Sequence, residues 1–301
     1  MSQMYPALSR SKKSKSNYEI LEQLKQKSVN WYDVEHQGYT LPSTSDPHEW
    51  CGKWVWKGCL NIEGHVGTEA HGKGVVRSFK RTCFRSKCEE CASSWISRES
   101  HKSASRLDHY EKTSDEKSKH IILSPPSWIH DKPIPELKKE VYQILKRLNA
   151  KGGCLIVHPF REVHDQKTLS GKTNWFPSIH FHVVGYGWLD YGLIVENFHK
   201  SGWIVKDKGE RDSNYGTIRY LLSHAGVKKG FHSLTYFGDL SYSKLSMPKY
   251  ESEYLNCPYC SEKMKLVLCR DGSCDRPPPQ MMECIIDVLD WFIPEYPQFL
   301  R

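Results

Sequence analysis

Apolar residues recur along the middle of the chain with two different periods, and the switches between them mark out elements. HIILSPP, 120–126, reads as a short apolar strand stopped by Pro125 and Pro126. ELKKEVYQILKRLNA, 136–150, sets Leu137, Val141, Ile144, Leu145 and Leu148 on one stripe, which predicts an amphipathic helix. GGCLIVHPF, 152–160, and PSIHFHVVG, 177–185, read as two strands joined by the polar loop REVHDQKTLSGKTNWF, which contains Gly171. YGLIVENFHKSG looks helical, WIVKD is a short strand, and NYGTIRYLLSHAG predicts a helix ended by Gly226. Upstream, the chain from Trp95 onward is loosely helical in pattern, with Ile96, Ala104 and Leu107 between polar residues.

The central order is therefore β-α-β-β-α-β-α. A helix after one strand, then a hairpin, then another helix predicts an α+β fold, with an antiparallel sheet and helices on one face, as in ferredoxin-like folds. Around it the chain divides into blocks. Residues 1–47 form a basic N-terminal segment, Ser- and Lys-rich at its start and expected to be mobile. Residues 48–117 carry a first group of cysteines and a helix, 118–250 the core, and 251–301 a second group of cysteines and the Pro-rich break DRPPPQ. No internal repeat is visible.

Composition changes this picture in two ways. At 301 residues and 38% hydrophobic, the chain can bury one large core or two modest ones, and no apolar run is long enough to span a bilayer. The N-terminus MSQMYPALSRSKKSKSNYEI lacks the apolar middle of a secretory signal, so the expected location is cytoplasmic, with no membrane partner. A net charge of +8, with ten tryptophans and sixteen tyrosines, points to a polyanion, since basic grooves lined with aromatics suit single strands. SRSKKSKSN, FKRTCFRSK and GVKKG are the basic stretches, although a solvated face is the ordinary reading of each.

Eleven cysteines, mostly at short spacings in an expected reducing compartment, read as metal ligands rather than disulfides. Cys154 and Cys284 stand alone in apolar surroundings as small core residues. Cys83, Cys88 and Cys91 supply three ligands of a first zinc site. Cys51, Cys59, His65 and His71 are available for its fourth, and Cys59 is the expected one. Cys257, Cys260, Cys269 and Cys274 form the expected second site, with a shared site between Cys88/Cys91 and Cys257/Cys260 as the alternative. Four ligands close the shell of a zinc ion, so both sites are structural.

FPSIHFHVVG puts His180 and His182 two apart in a strand, on one face, with Phe181 facing the core behind them. If the two strands form a hairpin centred near Leu169, His158 lies opposite His180. Three neutral imidazoles then suit a divalent ion and leave coordination positions open. Glu162 and His164 are rival third ligands in another register. Histidines in strands are more often hydrogen-bonded core or surface than ligands. On the last helix Tyr220 and His224 share a face, while Tyr215 points about 140° away. A phenol attacks a phosphodiester only when the target is polarised and the attack is held in line, and His224 can orient it or accept its proton.

HIILSPP (120–126), FPSIHFHVVG (176–185) and YGTIRYLLSHAG (215–226), in that order, resemble the three motifs of the HUH endonucleases, in particular the rolling-circle replication initiators of archaeal plasmids and viruses. The resemblance covers about 110 residues. It implies that His180 and His182 bind Mn²⁺ or Mg²⁺ and that Tyr220 is the nucleophile. It also implies a 5′-phosphotyrosyl link to single-stranded DNA or an origin hairpin, and host replication proteins as partners. The lysine that many members carry three or four residues after the tyrosine is absent, those positions being Ser223 and His224. A transposase or relaxase with the same chemistry, and a non-catalytic zinc protein that regulates transcription, are the alternatives.

Overall fold

The computed structural model describes residues 23, 26–163, 174–187, 189–247, 255–274 and 276–295. It divides into two units, one of residues up to 41 with 103–244, the other of 42–102 with 245 onward. The fold is α+β with antiparallel sheets and, among the described residues, four helices of ten residues or more.

The first unit is built on a five-stranded sheet. Its strands are β3 (Lys119–Ser124), β4 (Gly152–Val163), β5 (Asn174–Tyr186), β6 (Ile204–Glu210) and β7 (Leu234–Gly238), in the order β6-β3-β5-β4-β7. Every neighbouring pair is antiparallel. On one face, Ile121, Leu123, Leu155, Val157, Ile179, Phe181 and Val183 meet helix α2 (Ile134–Arg147), which buries Leu137, Val141, Ile144 and Leu145. The stripe expected from the sequence is the stripe that is buried, Leu148 included. Each such side chain contributes about 1.5–3 kcal/mol on leaving water.

The sheet is covered on its other face too. Tyr186 Oη donates to the carbonyl of Leu107 at 2.9 Å, in the half of helix α1 (Ala92–Ser114) that belongs to this unit. Helix α4 (Asn214–Ser223) buries Ile218, Leu221 and Leu222, and Asn214 Nδ2 donates to Asp108 of α1 at 2.7 Å. Helices on one face only, as the pattern suggested, is thus corrected. Burial on both faces is why β4 and β5 read as continuous apolar runs instead of alternating. Helix α3 (Tyr191–Ser201) is capped by Asp190 and ends at Gly202 in the left-handed region, φ 73°.

Two further boundaries differ from the sequence reading. The stretch read as a loop from Arg161 to Phe176 is strand at both ends, with 164–173 outside the described residues. Residues 26–41, assigned to a separate N-terminal segment, join this unit: Val29 bridges Trp175, Thr40 bridges Val227, and Val34, Tyr39 and Leu41 are core. The basic stretch 9–17 lies outside the described residues.

The second unit combines both cysteine-rich blocks, which the sequence reading kept apart. Strands β1 (Trp54–Cys59) and β2 (Gly74–Lys80) pair with β8 (Lys265–Leu266) and β10 (Glu283–Ile286) in the order β10-β2-β1-β8. Strands β9 (Leu268–Cys269) and β11 (Trp291–Phe292) form a two-stranded sheet. Strands of two to seven residues cannot bury a face alone, so each block completes the other. No described helix is long and apolar enough to cross a membrane.

Candidate metal centre and its tyrosine

The pairing of β4 with β5 places His158 directly opposite His180, the register expected from a turn near Leu169. The ladder shifts between His158 and Phe160, at Pro159, which has no N–H to donate. One ring nitrogen from each of His158, His180 and His182 can be chosen so that all three lie within 4.8 Å of one another, and all three residues are buried.

Hydrogen bonds decide which nitrogens face the centre. His180 Nδ1 lies 3.0 Å from the Ser178 carbonyl, so Nδ1–H donates there and Nε2 is bare. His158 Nε2 donates to the Leu221 carbonyl at 3.0 Å, and its Nδ1 is buried with no partner. His182 Nδ1 lies 2.7 Å from His120 Nε2, which leaves the other nitrogen of His182 for a ligand. A buried imidazole nitrogen without a partner is costly unless a cation takes its lone pair, so this donor set fits a divalent metal. Burial keeps the rings neutral, as ligands must be: it pushes His180 down to about 3 and lowers His158 and His182 well below the usual range. The rival third ligands are not in this group. Glu162 lies on β4 near His224, whose pKa it raises against the larger effect of burial, and His164 lies outside the described residues.

Tyr220 and His224 follow directly on the cluster. The His158 ring lies 4.5 Å from that of His224, and the His224 ring 4.9 Å from that of Tyr220. Tyr220 itself is 67% exposed, open to a large substrate. Helix α4 ends at Ser223, with His224 as its C-cap, and not at Gly226. Gly226 has a different duty. Its N–H donates to the Val157 carbonyl at 2.8 Å, and a Cβ there would sit 2.4 Å from Pro159, so only glycine lets the chain lie against β4 beside His158. Tyr215 is directed elsewhere, into a cleft of about 520 Å³ lined by Asp108, Glu111 and Asn214, with Arg219 donating to its hydroxyl at 3.0 Å.

Two residues of the site went unnoticed in the sequence. His120 stacks on His182 with ring centroids 5.0 Å apart, and its place in HIILSPP was read only for apolar pattern. Arg161 donates to Ser178 at 3.0 Å and to Ser124 at 3.1 Å, which holds a guanidinium close enough to His180 to help lower its pKa. Its sequence position, in a stretch read as loop, hid it.

The cysteines of the second unit form two groups that could each hold a metal ion, with ligand sets different from those expected. Cys83, Cys88 and Cys91 are joined by Cys51, not Cys59. The loop of Cys51 is held to them by Gly52 N–H donating to Arg81 at 3.0 Å and Arg81 N–H to Lys53 at 2.8 Å. Cys257 and Cys260 are joined by Cys59 and His65, so Cys269 and Cys274 are not their partners, and no site is shared with Cys88 and Cys91. His65 is fully buried. Its Nδ1 donates to the Lys73 carbonyl at 2.8 Å, and Nε2 stands 3.2 Å from Cys257 Sγ. Cys269 instead packs with Trp56 and Trp291 and contacts Asp271 Oδ1 at 3.0 Å, while Cys274 is exposed. Burial pushes the thiols of Cys59 and Cys91 up to about 12, so thiolate forms there only with a cation.

Comparison with protein-family models, with curated proteins and with solved structures finds no match.

Proposed function

We propose that this protein cuts and rejoins single-stranded DNA through a covalent 5′-phosphotyrosine at Tyr220, as HUH endonucleases do when they start rolling-circle replication of a plasmid or virus. One juxtaposition carries the reading: three buried imidazoles with their lone pairs converging, linked ring to ring through His224 to an exposed phenol. A fold alone would not support it, because function resides in the site.

His158 Nδ1, His180 Nε2 and the free nitrogen of His182 would hold Mn²⁺ or Mg²⁺, which supplies positive charge to polarise a phosphodiester. The chain does the rest. Arg161 adds a fixed cation beside His180 for the phosphate oxygens. Tyr220 Oη forms a bond to phosphorus as the bond from phosphorus to the 3′-oxygen breaks. The phenol proton passes to His224, and the departing 3′-oxygen takes up a proton to become the hydroxyl that primes synthesis. Reversal of the same steps rejoins the strand. Zinc in the cysteine groups is structural in this scheme.

The test is a labelled single-stranded origin hairpin incubated with the protein and Mn²⁺, then run on a denaturing gel. A covalent adduct should form, and should be absent with Tyr220→Phe and with His180→Ala. Binding without any adduct would overturn the enzyme reading in favour of a regulator. Loss of the adduct in Tyr215→Phe, with retention in Tyr220→Phe, would overturn the choice of nucleophile.

A further inference from the structure

The cysteine group of Cys51, Cys83, Cys88 and Cys91 sits beneath an unusual surface. Phe84, between two of the ligands, adopts φ 50°, in the left-handed region where a bulky residue is strained, and is nevertheless 45% exposed. An exposed aromatic in a strained conformation contributes little to a core. The Arg98 guanidinium lies 4.5 Å from the ring centroid of Phe84. Nearby in the chain, Lys53 and Arg81 lie 4.4 and 5.2 Å from the Trp50 ring, and Arg85 is hydrogen-bonded to His48.

The charges there are only partly neutralised. Lys80 and Arg98 are held by carboxylates, Glu90 at 3.0 Å and Glu99 at 3.2 Å. Lys53, Arg81 and Arg85 are in no ion pair among the described residues. A zinc ion with four thiolates is net −2, and with Glu89 and Glu90 it is balanced by the four cations of FKRTCFRSK, so the local surplus comes from cations such as Lys53 around the loop. Aromatic faces alternating with cations that lack carboxylate partners match one ligand chemistry: an unpaired base to stack and phosphates to neutralise.

We infer that this cysteine-held loop is a binding site for single-stranded nucleic acid, with Phe84 as the stacking platform and Lys53, Arg81 and Arg85 as phosphate contacts. The thiolate cluster fixes Phe84 outward, so the ring is ordered before the strand arrives. This site is independent of the chemistry at Tyr220 and stands or falls separately from it.

Fluorescence anisotropy of the full-length zinc-loaded protein with labelled oligothymidylate, which offers no hairpin, tests it. Phe84→Ala should weaken binding about 5- to 100-fold, and Phe84→Trp should keep it. Zinc content unchanged in both variants separates lost stacking from lost folding. Arg81→Gln and Arg85→Gln should each lower the slope of log affinity against log salt by about one, whatever the outcome at Phe84. Oligouridylate should bind within the same range, since the site reads base faces and phosphates. Wild-type affinity and salt slope in all these variants, or tighter binding of a duplex than of the single strand, would overturn the inference. Tyr220→Phe should leave this binding intact, and wild-type protein that binds oligothymidylate but forms no adduct with the origin hairpin would refute only the nicking chemistry.

Discussion

Changing His65 to Ala separates the group of metal-ligating side chains that the structure brings together from the one the spacing of cysteines suggests. His65 is fully buried, with one ring nitrogen held by the Lys73 carbonyl and the other 3.2 Å from Cys257 Sγ. Among the described residues its group otherwise holds Cys59, Cys257 and Cys260, so His65→Ala leaves three thiolates and an open position. The two cysteine groups give an expected two tightly held zinc ions per chain after brief treatment with a weak chelator, which strips the three-ligand imidazole cluster first. His65→Ala should fall to one, while Cys269→Ser and Cys274→Ser should keep two. Structural zinc is worth about 10–16 kcal/mol of binding free energy in small peptides, so His65→Ala should also lower the melting temperature measurably. Zinc binding by three thiols and one neutral imidazole releases three protons. Below the thiol pKa values apparent affinity should therefore fall about a thousandfold per pH unit, and about ten-thousandfold at the four-cysteine group. Elemental analysis by mass spectrometry, repeated down a pH series, reads both quantities. Two zinc ions in His65→Ala, with one lost in Cys274→Ser, would refute the assignment.

Other outcomes follow from the same geometry. In metal-free protein, His158, His180 and His182 are lowered from an unfolded value of 6.5, so stability is full above that pH and declines as pH falls toward the folded values. At pH 5.5 the loss is up to about 4 kcal/mol for the three together, and urea melts at pH 7.5 and 5.5 with equal midpoints would contradict it. Gly226→Val should destabilise the first unit by about 1–3 kcal/mol and weaken metal binding at the histidines, because its side chain meets Pro159 beside His158; a thermal melt and a metal titration unchanged from wild type would count against this. Cys154, fully buried with its thiol pushed up to about 12, should resist iodoacetamide in native protein while exposed Cys274 reacts, as mapped by peptide mass spectrometry.

Local pattern and local symmetry were legible in the sequence. The α2 stripe follows from helical period, and the convergence of His158 on His180 follows from counting residues through a hairpin. Ligands contributed by distant segments were not. Each Cys-x-x-Cys announces half a site, but Cys51 reaches its group through backbone hydrogen bonds between Gly52, Lys53 and Arg81, and Cys59 and His65 reach theirs from the other block of the chain. Spacing arguments favour cysteines that are near in sequence, which is why Cys269 and Cys274 were expected and His65 was passed over for that site. His120 was hidden for another reason. Within an apolar strand a polar residue reads as an interruption, and only the neighbouring strand shows that it meets His182. Helices on both faces of the sheet could not be counted from element order, because α1 precedes the first strand of the core.

His65 and Cys257 are 192 positions apart, and everything from residue 103 to 244 is made between them. A ribosome adding about 5–20 residues per second needs roughly 10–40 seconds to cover that distance. The histidine-bearing sheet is complete in sequence before Cys257 and Cys260, the second pair of candidate metal ligands, exist. During that interval Cys59 and His65 wait as nascent half-ligands, exposed to any thiol-reactive oxidant or competing metal in the cell.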